Sequence, residues 1–176
     1  MKKILGAGVA AWLFLAGAPA MAVDGMALEA GRGDGTDMGR IAIQWDWEKR
    51  LYQGAGWNVG GYWDLGFGYW RNASFPGRNK EITEIGLTPV LRLQRDSLEG
   101  LYGELGIGWH LQSHTTIGDK SMSTAFQFGD HIGIGYRFGA KRAYDLSYRL
   151  QHLSNASIKK PNDGINFNQI RLQYHF

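Results

Sequence analysis

The chain has 176 residues, of which 26 are glycine, about twice the average usage, and this excess argues against a helical bundle. The hydrophobic fraction is 44%, yet the mean hydropathy is -0.30, so the apolar residues are spread along the chain and do not form the spans of a polytopic helical membrane protein. The formal net charge is only +3, and the absence of cysteine excludes disulfide scaffolds, thiol nucleophiles and thiolate metal sites.

Residues 1–22 have the pattern of a secretory signal peptide. Lys2 and Lys3 give a positive start, the stretch from Ile4 to Leu15 is mostly apolar, and Ala20-Met21-Ala22 is an A-x-A cleavage site. A membrane anchor is the alternative, but the apolar stretch is short for a full span. We predict one mature domain, residues 23–176, whose charge without the two lysines gives no indication of a nucleic-acid partner.

Apolar and polar residues alternate strictly in most of the remaining chain. A period of two residues indicates strands with one apolar and one polar face. In chain order, strands are predicted near 26–34, 41–48, 57–69, 84–93, 101–111, 126–138, 143–155 and 169–176. These are eight strands, and an even number is typical of bacterial outer-membrane barrels.

The position of the aromatic residues indicates which medium the apolar face meets. Alternation alone also occurs in soluble sandwiches. Here, however, large aromatic residues lie on the apolar stripe, several of them near strand ends, as interfacial girdles require: Trp45, Trp47, Trp57, Trp63, Tyr69 and Trp109. We therefore predict an all-β fold, an eight-stranded antiparallel transmembrane β-barrel of the outer membrane.

The polar face carries charges of both signs and many glycines. Eight strands enclose an interior that is just wide enough for side chains. The glycines leave room for larger polar residues, so we predict a plugged barrel and not a pore: Tyr62, Asp64, Glu104, His110, Arg137 and Arg149. His110, His131 and His175 are assigned to this filling, because no carboxylate–histidine spacing suggests a metal site.

The connection lengths predict the orientation of the barrel. The connections near 50–54, 96–100 and 140–143 are short, whereas those near 71–81, 113–123 and 156–165 are longer and polar. Short periplasmic turns and longer extracellular loops are typical of this class. The strand over 143–155 is therefore predicted to end at the cell surface.

A histidine and a serine lie at that outward end. His152 and Ser154 are two residues apart, so both share the outward face of Tyr148 and Leu150. A serine becomes a nucleophile when a nearby base takes its proton. We interpret His152 as general base and Ser154 as nucleophile; the alternative is an ordinary polar pair at the headgroup boundary.

Three asparagines complete the candidate site. Asn166 shares its parity with Ile170 and is expected beside His152, where it can orient the imidazole. Asn155 and Asn162 are candidate oxyanion donors through their side-chain N–H groups. Asn155 points inward by parity, so this role requires a bulge or a strand end at that position.

The run from His152 to Ile165 resembles the signature of the PagL family, the outer-membrane lipid A 3-O-deacylases. Further segments across the mature chain are also similar to that family: Trp45-Asp46-Trp47, Gly61-Tyr62-Trp63-Asp64 and Tyr69-Trp70. The resemblance implies hydrolysis of the acyl ester at the 3-position of lipid A by a Ser-His-Glu triad that faces the membrane. The family's serine and histidine map onto Ser154 and His152, its important asparagines onto Asn155 and Asn162, and its glutamate onto Asn166.

The resemblance implies lipopolysaccharide as the substrate and no cofactor. Basic residues on the predicted outer loops are candidates for contact with lipid A phosphates, the alternative being ordinary solvated charges: Arg71, Arg78, Lys80, Lys120, Lys159 and Lys160. The aromatic stripes could also support a homodimer. Two other functions stay open, a non-catalytic structural or adhesion barrel of the OmpA/OmpX kind and a lipid A acyltransferase.

Overall fold

The computed structural model describes residues 22–176, so the predicted signal peptide lies outside the described residues except for Ala22. Eight long strands form the wall: β1 (Gly25–Gly33), β2 (Thr36–Asp46), β3 (Trp57–Arg71), β4 (Glu81–Arg95), β5 (Gly100–Gln112), β6 (Phe126–Phe138), β7 (Tyr144–Ser154) and β8 (Ile165–His175). Shorter elements lie in the connections: the strands Tyr52–Gly54, Thr116–Ile117 and Lys120–Ser121, and a 3-10 turn over Ala140–Arg142.

The wall closes on itself. Each strand pairs antiparallel with the next one along the chain, and β8 pairs with β1. Closure pairs the backbone groups of every long strand and leaves no free sheet edge. The predicted all-β fold with eight antiparallel strands is confirmed.

The connections divide between two ends of the barrel. Residues 47–56, 96–99 and 139–143 connect strands at what we call the turn end, and residues 34–35, 72–80, 113–125 and 155–164 at the loop end. Two lengths differ from the prediction. The 47–56 connection is longer than expected because it contains the strand Tyr52–Gly54, and Asp34-Gly35 is a two-residue hairpin turn with φ values of 49° and 72°.

The exterior of the barrel carries the predicted apolar stripe. Leu101, Leu105 and Ile107 on β5 are all at least half exposed, while Tyr102, Glu104 and His110 on the same strand are buried inside. Aromatic rings in successive contact form a band on the exterior near the turn end: Tyr136, Phe138, Tyr144, Tyr174 and Phe176. Among residues 22–176, no helix has the length and hydrophobicity needed to cross a membrane.

Paired charges fill the interior. Glu104 accepts hydrogen bonds from Arg92 Nη2 at 2.9 Å, Arg149 Nε at 2.6 Å and the Tyr62 hydroxyl at 3.0 Å. Arg92 also donates to Asp145 at 2.8 Å. Since a buried charge is very costly unless it is paired, this network accounts for many charged residues within one barrel. Equivalent contacts join Arg40 and Arg171 to Glu29 and Asp64, and His175 to Asp145.

Interior glycines make room for these side chains. A Cβ atom at Gly86 would lie 2.4 Å from the ring of His110, and one at Gly106 would lie 2.7 Å from the ring of His131. His110 and His131 are therefore part of the filling, as predicted, and His110 Nδ1 is hydrogen-bonded to Glu84 at 3.0 Å.

The loop end of the interior is apolar, which the sequence analysis did not predict. A hairpin of residues 116–121 folds over the opening, and Ile117 and Met122 are fully buried. They pack with inward residues of the wall: Met38, Trp70, Ile82, Leu153, Ile165 and Phe167. This apolar plug lies directly behind the loop ends of β7 and β8.

Candidate active site

The register between β7 and β8 brings two predicted site residues together. His152 is paired with Asn166, and the next residues toward the loop end, Leu153 and Ile165, are also paired. Leu153 and Ile165 are fully buried in the plug, so the strand alternation places His152 and Asn166 on the exterior. His152 is half-buried there and Asn166 is exposed.

A hydrogen bond connects these two side chains. His152 Nδ1 lies 2.8 Å from Asn166 Oδ1. Because an amide oxygen can only accept, the imidazole donates its Nδ1–H in this contact. The other ring nitrogen, Nε2, then carries a lone pair and can accept a proton.

The first hairpin holds the backbone of Asn166. Its N–H donates to Asp34 Oδ2 at 3.0 Å, and Lys120 Nζ lies 3.9 Å from the same carboxylate oxygen. A Cβ atom at Gly33 would lie only 1.7 Å from the carbonyl oxygen of Asn166, so this close approach requires glycine. Gly33 and Asp34 thus fix the position from which the Asn166 side chain projects.

Ser154 lies on the same exterior face as His152. The two Cα atoms are about 6.6 Å apart along the strand, which makes their side chains neighbours. Ser154 is half-buried at the last position of β7, opposite Phe128 of β6. The hydroxyl therefore lies at the rim, one step closer to the loops than the imidazole.

Gly164 contacts the imidazole and was not identified from the sequence. Its φ is 63°, and a Cβ atom there would lie 2.8 Å from His152 Cε1 and 3.2 Å from the carbonyl oxygen of Leu153. Both the backbone conformation and the contact require a glycine. Its position directly before β8 was the available signal, but nothing in the sequence gave the ring contact.

Asn155 has a different geometry from the one predicted. It points inward, as its parity indicates, and it is fully buried. Its Nδ2 group donates to the carbonyl oxygens of Met122 at 2.6 Å and Lys159 at 2.8 Å. Both hydrogens are thus engaged in holding the loop, so the side chain is not available as an oxyanion donor in this arrangement.

Asn162 also supports the loop, but only through its oxygen. Asn162 Oδ1 accepts the backbone N–H of Asn155 at 3.0 Å. Within residues 22–176 no acceptor is recorded for its Nδ2 group or for the N–H of Ala156, which follows Asn155 with a φ of 51°. These two donors lie on the loop that directly follows Ser154.

Asp163 is the carboxylate nearest to Asn166 in the loop sequence, and it has another partner. Its Oδ2 accepts the N–H of Ser121 at 2.7 Å, and its own N–H donates to the carbonyl oxygen of Ser121 at 3.0 Å. Asp163 therefore ties the 155–164 loop to the hairpin that closes the barrel.

An exterior groove of about 510 Å³ runs beside the dyad, His152 and Ser154. Its walls include His152, Asn166 and Asn168 on one side and Asp130 on the other, with apolar side chains between them: Leu105, Ile107, Ile132 and Leu150. Asp130 is exposed on the outward face of β6 and was also missed by the sequence analysis. Among residues 22–176, no group of three or more His, Asp or Glu side chains could hold a metal ion.

The comparisons with known proteins identify the family. The family model described as "Lipid A 3-O-deacylase (PagL)" matches residues 37–175. The lipid A deacylase PagL of Pseudomonas aeruginosa is 34% identical over 166 residues, which cover 94% of each chain. The chain belongs to the PagL family. PagL of Bordetella bronchiseptica is 36% identical over 115 residues, 64% of this chain and 61% of that one.

Solved structures agree with this PagL assignment. The crystal structure of the outer-membrane enzyme PagL superposes with a TM-score of 0.74 at 26% identity, over 86% of this chain and 99% of that one. Neisserial surface protein A shares the fold alone, with a TM-score of 0.55 at 12% identity over 86% and 94% of the two chains. This PagL-family chain is thus an ester hydrolase of the outer membrane, as the sequence analysis predicted.

The role of Asn155 in holding the loop can be tested without an activity assay. In the variant Asn155→Asp, a carboxylate oxygen replaces the donor that faces two carbonyl groups, which costs about 3 kcal/mol or more when buried. We expect trypsin to cut the folded barrel after Lys159 at least tenfold faster, because the loop opens more often. The measurement is the rate of cleavage followed by mass spectrometry.

Asn162→Asp is the matched control, since it keeps the oxygen that accepts the Asn155 N–H. Its cleavage rate should stay within a few-fold of the wild type. Equal protection of the wild type and Asn155→Asp would contradict the loop-holding role.

Proposed function

We propose that this chain is a lipid A 3-O-deacylase that acts through Ser154 and His152 on the lipid-facing wall of the barrel. The observation that carries the proposal is the hydrogen bond of 2.8 Å between His152 Nδ1 and Asn166 Oδ1 on the exterior. A histidine oriented in this way beside a serine is the arrangement of a serine hydrolase. Its position on the outside of the wall suits a substrate that arrives within the bilayer.

The loop end is assigned to the cell surface. Both described chain ends, Ala22 and Phe176, lie at the turn end, and outer-membrane barrels place short turns in the periplasm. The dyad lies at the last residues of β7 before the 155–164 loop, so it faces the outer leaflet. Lipopolysaccharide occupies that leaflet, and its acyl esters lie near the headgroup level, where Ser154 ends the strand.

The exterior groove supports a lipid substrate. Leu105, Ile132 and Leu150 line it directly below His152, where they can contact an acyl chain lying along the wall. The basic side chains Arg78, Lys159 and Lys160 are exposed on the loops above, at the level expected for the lipid A phosphates. The apolar groove and the charged rim thus match the two parts of the molecule.

The first half-reaction forms an acyl-enzyme. Ser154 Oγ attacks the ester carbonyl carbon, and its proton moves to His152 Nε2. The tetrahedral intermediate then collapses, the bond between the carbonyl carbon and the sugar oxygen breaks, and the imidazolium returns the proton to that oxygen. The products of this step are the 3-hydroxyl of lipid A and an ester between the acyl chain and Ser154.

The oxyanion of the intermediate requires hydrogen-bond donors close to Ser154. The Nδ2 group of Asn162 and the backbone N–H of Ala156 are assigned to this role, because both lie on the following loop without a recorded acceptor within residues 22–176. One such donor contributes about 3 kcal/mol to the transition state. Asn155 contributes indirectly, since its backbone N–H and its side chain hold this loop in place.

Water completes the cycle. His152 Nε2 takes a proton from a water molecule that attacks the acyl-enzyme, and the same proton returns to Ser154 Oγ as the fatty acid leaves. The alternatives of a non-catalytic barrel and of an acyltransferase differ from this scheme in their products. The homodimer also stays a prediction.

Replacement of the nucleophile tests the reaction. Ser154→Ala should reduce the release of fatty acid from purified lipopolysaccharide at least 1,000-fold, because no other hydroxyl occupies its position on the wall. Ser74→Ala, which removes an exposed hydroxyl from another loop at the same end, should retain full activity. Mass spectrometry of the lipid A should show the loss of one ester-linked acyl chain with the wild type only.

Two outcomes would contradict the proposal. Activity of Ser154→Ala equal to the wild type would exclude Ser154 as nucleophile, and a gain in the acyl mass of lipid A would indicate transfer instead of hydrolysis.

Gly164 provides a test of the imidazole position. Gly164→Ala places a methyl group against the His152 ring, and a displacement of about 1 Å can reduce turnover on the order of 100-fold. Gly77→Ala is the control: its φ is 78°, so it has similar backbone strain, but a Cβ atom there meets nothing within 4 Å. Turnover of the two variants by the same lipid A assay should differ strongly. Equal turnover would mean that the ring contact is unimportant.

A further inference from the structure

Asp130 is a carboxylate on the part of the wall where the other outward side chains are apolar. It lies on the outward face of β6 between Phe128 and Ile132, and it is exposed. Within residues 22–176 no hydrogen bond or ion pair is recorded for its side chain. A charged residue on the exterior of a membrane barrel is costly at depth, so its presence calls for a functional explanation.

The register places this carboxylate beside the imidazole. Asp130 is paired with His152 across β6 and β7, and both line the same groove. Cβ atoms of directly opposite residues in an antiparallel pair are about 5 Å apart. Because β7 lies between β6 and β8, His152 has Asp130 on one side and Asn166 on the other.

The other carboxylates near the site have different partners. Asp34 accepts the backbone N–H of Asn166, and Asp163 accepts the N–H of Ser121. Asp130 is the acidic residue among the described residues that line the His152 groove. It is therefore the carboxylate best placed to act on the imidazole ring.

The proposed reaction creates a need for such a charge. His152 becomes positively charged when it takes the proton of Ser154, and in serine hydrolases an acidic residue stabilises this imidazolium. Asn166 is neutral, so it can orient the ring but cannot supply the charge. At about 6 Å and an effective dielectric constant near 20, a carboxylate favours the imidazolium by a factor on the order of 100.

We propose that Asp130 supplies the negative charge that Asn166 lacks, so that the third function of a catalytic triad is divided between two residues on opposite sides of His152. Asn166 orients the ring by a hydrogen bond, and Asp130 stabilises its charged form through space. Asp130 is in this sense a positioning residue that acts through His152. The inference rests on the proposed function.

A double-mutant cycle tests this division. Turnover of lipopolysaccharide is measured for the wild type, Asp130→Asn, Asn166→Glu and the double variant. In the wild-type background, Asp130→Asn should lower kcat about 10- to 100-fold with little change in KM, since the charge acts only after proton transfer. In the Asn166→Glu background the same change should cost less than about threefold, because the introduced carboxylate then supplies the charge.

Three further variants make the result decisive. Asp130→Glu keeps the charge and should retain most of the activity that Asp130→Asn loses, which decides the question even when Asn166→Glu is itself inactive. Asp119→Asn removes an exposed carboxylate from the loop end and should leave kcat unchanged. Ser154→Ala in the same assay separates the two proposals, since an inactive Ser154→Ala together with a fully active Asp130→Asn overturns only this inference.

The inference is also overturned by a loss that is equal in both backgrounds, or by a change confined to KM. The first outcome would mean that Asp130 acts independently of residue 166. The second would make it a substrate contact.

Discussion

The register between β7 and β8 is the constraint on which the candidate site depends. Leu153 and Ile165 are paired inside the barrel, where Phe167 packs against Trp70 with ring centroids 5.0 Å apart. A slip of one residue would turn every side chain of the strand to the other face. The apolar plug therefore fixes, through the same residue pairs, the hydrogen bond between His152 and Asn166 on the outside.

The filling of the barrel gives the exterior chemistry a rigid support. Ion pairs around Glu104 occupy the middle of the interior, and the plug occupies the loop end. A site on paired strands is positioned more accurately than one on free loops. The loop that supplies the proposed oxyanion donors is held in turn by Asn155 and Asp163, which connect it to the segment that closes the barrel.

Strand periodicity was sufficient to predict the fold and the exterior position of His152 and Asn166, because alternation fixes the direction of each side chain once the strands are known. It could not predict what depends on pairing between distant strands or on loop conformation. The role of Asn155 changed for this reason, since its partners belong to two loops without any period. Gly164 and Asp130 were missed for related reasons, although a charge on an apolar stripe was a visible signal for Asp130.

The central claim is that a serine on the lipid-facing wall performs the chemistry. An alkyl fluorophosphonate that partitions into the bilayer forms a covalent adduct with an activated serine, and peptide mapping by mass spectrometry locates it. The account predicts one adduct, on Ser154, which disappears in His152→Ala. An adduct on any other residue, or an active enzyme that the reagent neither labels nor inhibits, would contradict it.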